Sequence, residues 1–169
     1  MLNPIDPDAV IREGGAIGRY PGEIHEGVAW WVGACFVVAL KADRVVVAHG
    51  GNTTSAAFHR RLCRGAVNAR HFACTVADLR VATEAGLLTA MEALGSVPGA
   101  LVTTTDEGDA EVVHIALYDA EGQSLTEGTG LAAIRRMIAE NRVPIPVNAA
   151  AKGRVERYVR QPTGEGGEE

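Results

Sequence analysis

The sequence predicts a three-layer α/β/α domain on a mixed, mostly parallel sheet of about four strands. Three observations predict it. Short β-branched runs alternate with helical-period segments, as where RVVVAHGG (44–51) precedes SAAFHRRLCRGAVNA (55–69). The resulting strand–helix–strand–helix–strand order calls for parallel pairing with helices on both faces. A chain of 169 residues, 47% hydrophobic and 22% charged, also suits a single compact core.

Each element has its own justification. Residues 1–22, with Pro4, Pro7, Pro21 and several glycines, read as an extended entry segment. A helix follows from Glu23 to Lys41, acidic at its start and basic at its end, as the helix dipole prefers. Its stretch VAWWVGACFVVAL (28–40) carries no charge but falls short of the about 20 residues that span a membrane. Charged residues bracket it, so it reads as a buried helix. Arg44 to Gly51 is a buried strand, and Asn52, Thr53 or Thr54 caps the next helix, Ser55 to Ala69, with Phe58, Leu62 and Ala66 on one face.

HFACTVA (71–77) is the second strand, and Ala82 to Leu94 a helix with Leu87, Leu88, Met91 and Leu94 as its stripe. GALVTTTD (99–106) and EVVHIALYD (111–119) form an antiparallel hairpin through the DEGD loop, and a last helix runs from Thr129 to Glu140. The domain thus occupies residues 23–159. The tail 160–169, rich in Gly and Glu with nothing to bury, reads as disordered.

Composition excludes several classes. A net charge of -5 argues against a general nucleic-acid binder, which needs clustered Lys and Arg. Cys35, Cys63 and Cys74 form an odd set without CxxC spacing. With no secretory segment at the N-terminus, the expectation is a reducing, cytoplasmic setting with no membrane association. The first helix is apolar all round, with Trp30, Trp31, Ala34 and Val37 on the side away from the sheet. A helix of that kind must be covered on every face. A second copy of the chain or a protein partner is the expected cover, and the entry segment is the alternative.

In parallel sheets, ligands gather beyond the carboxyl ends of the strands. Here those ends are HGGNTT (49–54), VADLR (76–80) and TTTDEGD (103–109). His49 is a candidate anion contact when protonated. Asn52, Thr53, Thr54 and Ser55 precede a helix and offer either phosphate-binding N–H groups or plain capping. Thr103 and Asp106 complete the candidate ligand set. No cofactor or metal is expected: Asp106, Glu107 and Asp109 read as a solvated hairpin turn with Gly108 allowing a positive φ, and Mg held by their carboxylate oxygens is the alternative. Thr105 is a hydroxyl at the strand end, either at a nucleophile-like position or bonding to local backbone.

Around these residues the chain resembles the N-terminal domain of the α-D-phosphohexomutases, the phosphomannomutase and phosphoglucomutase superfamily. IREGGAIGRYPGEIHEGVAWWVGACFVVAL (11–40), VVVAHGGNTTSAAF (45–58), GALVTTTDEGD (99–109), ALYDAEG (116–122) and TGLAAIRRMIAE (129–140) carry the resemblance, which covers roughly residues 11–160. KGRVERYVRQ (152–161) looks like the linker to a second domain.

The chemical positions depart from the family pattern. Gly15 and Ile17 stand where it has Asp and Arg, and Ala48 to Asn52 replace G-R-D-T-R. Thr105 takes the phosphoserine position, followed by Asp106, Glu107 and Gly108 in place of H-N-P. Phosphoryl transfer depends on positioning and on cations that neutralise oxygen charge. The resemblance therefore implies a non-catalytic domain acting by oligomerisation, partner binding or regulation. The alternatives are a mutase component completed by partner subunits, retained phosphotransfer at Thr105, or a sensor of a small phosphorylated ligand at His49–Ser55. Asp106 would then supply a permanent negative charge where the family carries phosphoserine.

Overall fold

A computed structural model describes residues 5–69, 74–145 and 151–159. In chain order the elements are α1 (Pro7–Val10), β1 (Ile11–Arg12), β2 (Gly15–Tyr20), α2 (Glu26–Leu40), β3 (Arg44–His49), α3 (Thr53–Val67), β4 (Thr75–Val81), α4 (Glu84–Ala93), β5 (Gly99–Glu107), β6 (Ala110–Tyr118), a 3-10 turn (Glu127–Thr129), α5 (Leu131–Ala139) and β7 (Arg154–Arg157). The fold is α/β with a mixed sheet, as the sequence predicts, but the sheet is larger. Among the described residues it has seven strands, in the order β1-β2-β6-β5-β3-β4-β7. β5, β3, β4 and β7 run parallel to one another, while β1, β2 and β6 form an antiparallel half.

The extra strands come from segments that read as irregular. The entry segment is built into the sheet: β2 pairs along its length with β6, from Gly15 opposite Ala116 to Tyr20 opposite Glu111. Its glycine is needed there, because a Cβ on Gly15 would meet the Ile115 carbonyl oxygen at 1.8 Å. A bulky residue would part the two strands. β7 lies within the expected linker and pairs with β4 from Thr75 opposite Arg154 to Asp78 opposite Arg157. The predicted tail, 160–169, lies outside the described residues.

Side-chain alternation splits the sheet into two buried faces. Val45, Val47, Ala100, Val102, Val113 and Ile115 face α2, α3 and α5 in the larger core. Val46, Ala48, Ala77 and Leu101 face α4, whose Leu87, Ala90 and Met91 close the smaller one. α5 is tied to the entry segment by Arg135, which donates to both Glu127 carboxylate oxygens at 2.6 Å and to the Ile11 carbonyl at 2.8 Å.

Much of the apolar character of α2 has an intramolecular cause, and it removes Ala34 and Val37 from the expected interface. α2 packs along α3 and against α5, and Ala34 and Val37 are fully buried within the chain. Two glycines allow the α2–α3 approach. A Cβ on Gly33 would lie 2.1 Å from the Leu62 carbonyl oxygen, and one on Gly65 would lie 1.9 Å from that of Trp30. Trp30 and Trp31 are half-buried, packed edge to face at 5.5 Å. Among the described residues, no helix is long and apolar enough to cross a membrane.

Candidate functional site

β5 continues past the expected strand end to Glu107 and turns through Gly108 and Asp109 into β6. Gly108 has φ +72°, which suits the first position of a two-residue hairpin loop. The acidic residues are therefore strand and turn residues of a protruding hairpin. Thr105 stands opposite Val112, and Asp106 stands opposite Glu111. Alternation puts Thr103 and Thr105 on the α4 face, and Thr104, Asp106 and Glu111 on the α3 face. The expected ligand set consequently does not converge: Thr103 points away from His49 and from the start of α3. Thr105, Asp106, Glu107 and Asp109 are exposed. No group of three His, Cys, Asp or Glu among the described residues is placed to hold a metal ion.

The start of α3 is satisfied from within. Asn52 is the N-cap: its Oδ1 accepts the Ser55 N–H at 2.8 Å, and the buried Ser55 hydroxyl donates to the Asn52 carbonyl at 3.0 Å. Thr53, the first residue of the helix, is exposed. A carboxylate comes in from the hairpin. Glu111 accepts from the Thr54 hydroxyl at 2.9 Å and from Asn52 Nδ2 at 3.3 Å, while Asn52 Nδ2 also donates to the Thr104 hydroxyl. The positive end of the helix thus has its anion, supplied by the chain itself. Sequence reasoning missed Glu111, which sits 57 positions after Thr54 and only meets it through the β5–β6 register.

His49 is brought to a different group. Its side chain lies on the α3 face at the end of β3, nearly buried, with its ring 4.7 Å from that of His59. His49 Nδ1 accepts the Gly51 N–H at 3.1 Å, so the neutral ring carries its proton on Nε2. His59 Nε2 meets Asp78 Oδ1 at 2.9 Å, and the Cys63 sulfur lies 3.8 Å from the same nitrogen. Asp78 Oδ1 also accepts the Arg80 N–H at 2.8 Å. Arg80 sits just past an irregularity in the β3–β4 register, where Val47 faces Asp78 but Ala48 faces Arg80, and it adopts φ +58°. His49, His59, Asp78 and Arg80 line a cleft of about 340 Å³ between α3 and β4, together with Ala56 and Arg60.

The electrostatics follow from this packing. Burial pushes the Asp78 carboxyl up, but the His59 hydrogen bond and charge, with the Arg80 N–H and guanidinium, outweigh it and hold it below the usual range. Burial, the adjacent His59 and Arg60 push His49 down, against an upward pull from Asp78. Burial and then Asp78 drive the Cys63 thiol up to about 12, so it is no nucleophile despite its histidine neighbour. VADLR is legible in the sequence as a ligand-facing strand end. His59 gives no signal there, because its partner is reached only when α3 folds over β4.

No family model matches the chain, and no curated protein matches it. Solved structures do. A phosphoglucomutase/phosphomannomutase family protein from Burkholderia thailandensis superimposes with a TM-score of 0.68 at 17% identity, over 91% of this chain and 33% of its own. A phosphomannomutase, described as putative, from Thermus thermophilus gives 0.65 at 21% identity, over 94% of this chain and 34% of its own. The chain thus has a fold found within phosphoglucomutase/phosphomannomutase proteins, and it spans about a third of their length.

Proposed function

We propose that this chain is a phosphohexomutase-like domain that acts by binding and does not transfer phosphoryl groups. The observation that carries the reading is the Glu111 carboxylate at the start of α3, beside a hairpin tip bearing Asp106, Glu107 and Asp109. Phosphoryl transfer needs cations where negative charge builds up. A carboxylate and a phosphoryl oxygen 4 Å apart repel by about 4 kcal/mol at an effective dielectric of about 20. Thr105 adds no chemistry, since it lies on the other face of the hairpin from Asn52 and Thr54, and no base or cation among the described residues is bonded to its hydroxyl.

The test is direct. Purified protein incubated with hexose 1,6-bisphosphate and Mg keeps its intact mass, and hexose 1-phosphate is not converted to the 6-phosphate. A mass gain of one phosphoryl group on Thr105, lost in Thr105→Val, refutes the reading.

A further inference from the structure

We propose that the cleft between α3 and the end of β4 binds a phosphoryl anion, either inorganic phosphate or the phosphate of a small monoester, through His49, Arg60 and Arg80. This site is separate from the hairpin and goes beyond the non-catalytic reading. It stands on what the cleft presents to a ligand. His49 Nδ1 is occupied by the Gly51 N–H, which leaves the Nε2 proton as the ring's free donor. Arg60 and Arg80 line the same cleft, and neither guanidinium forms an ion pair within 4 Å among the described residues. Asp78 is the one carboxylate among the described lining residues, and its Oδ1 is already taken by His59 and the Arg80 N–H. The lining therefore offers donors and net positive charge in a chain whose overall charge is -5.

The chemistry fits a phosphoryl group. Two planar guanidinium forks and one imidazole N–H supply donors for three oxygens, and Arg is suited to bidentate contact with phosphate. The His59–Asp78 pair holds the walls: it fixes the ring against which His49 packs at a tilt and anchors the backbone of Arg80. Arg80 also borders a second cleft of about 460 Å³, lined by Val81, Thr83, Arg157 and Tyr158, toward the α4 side of the sheet.

The test is calorimetric titration of the full chain with inorganic phosphate, glycerol 3-phosphate and sulfate. Binding with a Kd of about 1 mM or tighter is expected. Arg60→Gln and Arg80→Asn should each weaken it by about tenfold or more. Asn is chosen at 80 because it tolerates a positive φ, so Arg80→Asn should fold, with only a small fall in melting temperature from the charge lost beside Asp78.

Sulfate, a dianion throughout, should bind about equally at pH 8 and pH 7, because the neutral His49 ring already donates from Nε2 while Nδ1 holds the Gly51 N–H. The groups facing that ring are His59 and Arg60 from α3 and Asp78 and Arg80 from β4. His49→Ala, which removes the Nε2 donor, should weaken sulfate binding by about tenfold. Tighter binding of glycerol 3-phosphate identifies a monoester as the ligand, and equal binding identifies the free ion. No heat with any probe at about 10 mM, or binding that survives all three substitutions, overturns the proposal. Turnover of hexose phosphates would sink the proposed function and leave this site standing.

Discussion

Gly65→Ala should destabilise the protein, although helix propensity alone argues the reverse. Replacing a helical glycine by alanine gains at most about 1 kcal/mol, and Gly65 lies in the last turn of α3. Here the new Cβ would lie 1.9 Å from the Trp30 carbonyl oxygen, 2.7 Å from its carbon and 3.0 Å from Cα. These are backbone atoms of a packed helix and cannot rotate aside. Relief requires α2 and α3 to separate by about 1 Å, and a gap of that size forfeits a quarter to a half of each dispersion contact across it. With about 50 contacts at about 0.15 kcal/mol each, the loss is about 2–4 kcal/mol. After the propensity gain, a net loss of about 2 kcal/mol remains, equivalent to a fall in Tm of about 4–8 °C for a domain of this size. Urea unfolding followed by tryptophan fluorescence reads the change as a lower midpoint at unchanged slope. Gly86→Ala is the control: its Cβ would stand 3.5 Å from its nearest neighbour, so that variant should be neutral or more stable. If Gly65→Ala is as stable as the parent, α2 is not held against α3 as described.

The other predictions are simpler. Glu111→Ala removes two hydrogen bonds to a carboxylate and the anion at the start of α3, but relieves its opposition to Asp106; the expected net loss is about 1 kcal/mol, read by urea unfolding. Acid should weaken the fold in two stages. His49 is held below its ordinary 6.5, so the unfolded chain takes up its proton first and stability falls as pH drops from about 6.5; Asp78 is held below 3.8, so its contribution is complete above that pH and is lost beneath it. Melting temperature against pH, in parent and His49→Gln, checks the first stage, which should vanish in the variant. Cys35 and Cys63, buried and pushed up to about 12, should resist iodoacetamide at pH 8 until denaturant is added. Rapid native labelling of either would contradict their burial.

The parts of the fold legible in the sequence are those whose burial shows as periodicity. β3 and the start of β5 are β-branched or apolar runs because both their faces are covered. The β2 strand is hidden by its own requirement: Gly15 looks like a loop residue, yet its missing side chain is what lets β2 lie against β6. β7 is hidden because an edge strand with every residue exposed carries alternating charge and little apolar signal. β4 reads in the sequence as ending at Ala77, since Asp78 and Arg80 look like loop residues; they are polar because they line the cleft. At the site, capping by Asn52 is legible from the adjacent Thr-Thr-Ser. The Glu111 and Asp78 partnerships are not, because each joins residues that only sheet register and helix docking bring together.

The pairing of β2 with β6 has a consequence for biosynthesis. Ala16 leaves the ribosome long before Ile115, its partner across the ladder, so an early strand must wait for a late one. Such distant pairing slows folding and keeps unpaired backbone on display in the meantime. A version beginning after Tyr20 would never cover that flank of β6. Its bare row of amide and carbonyl groups would template the addition of another chain, and such a product should collect in the insoluble fraction on expression.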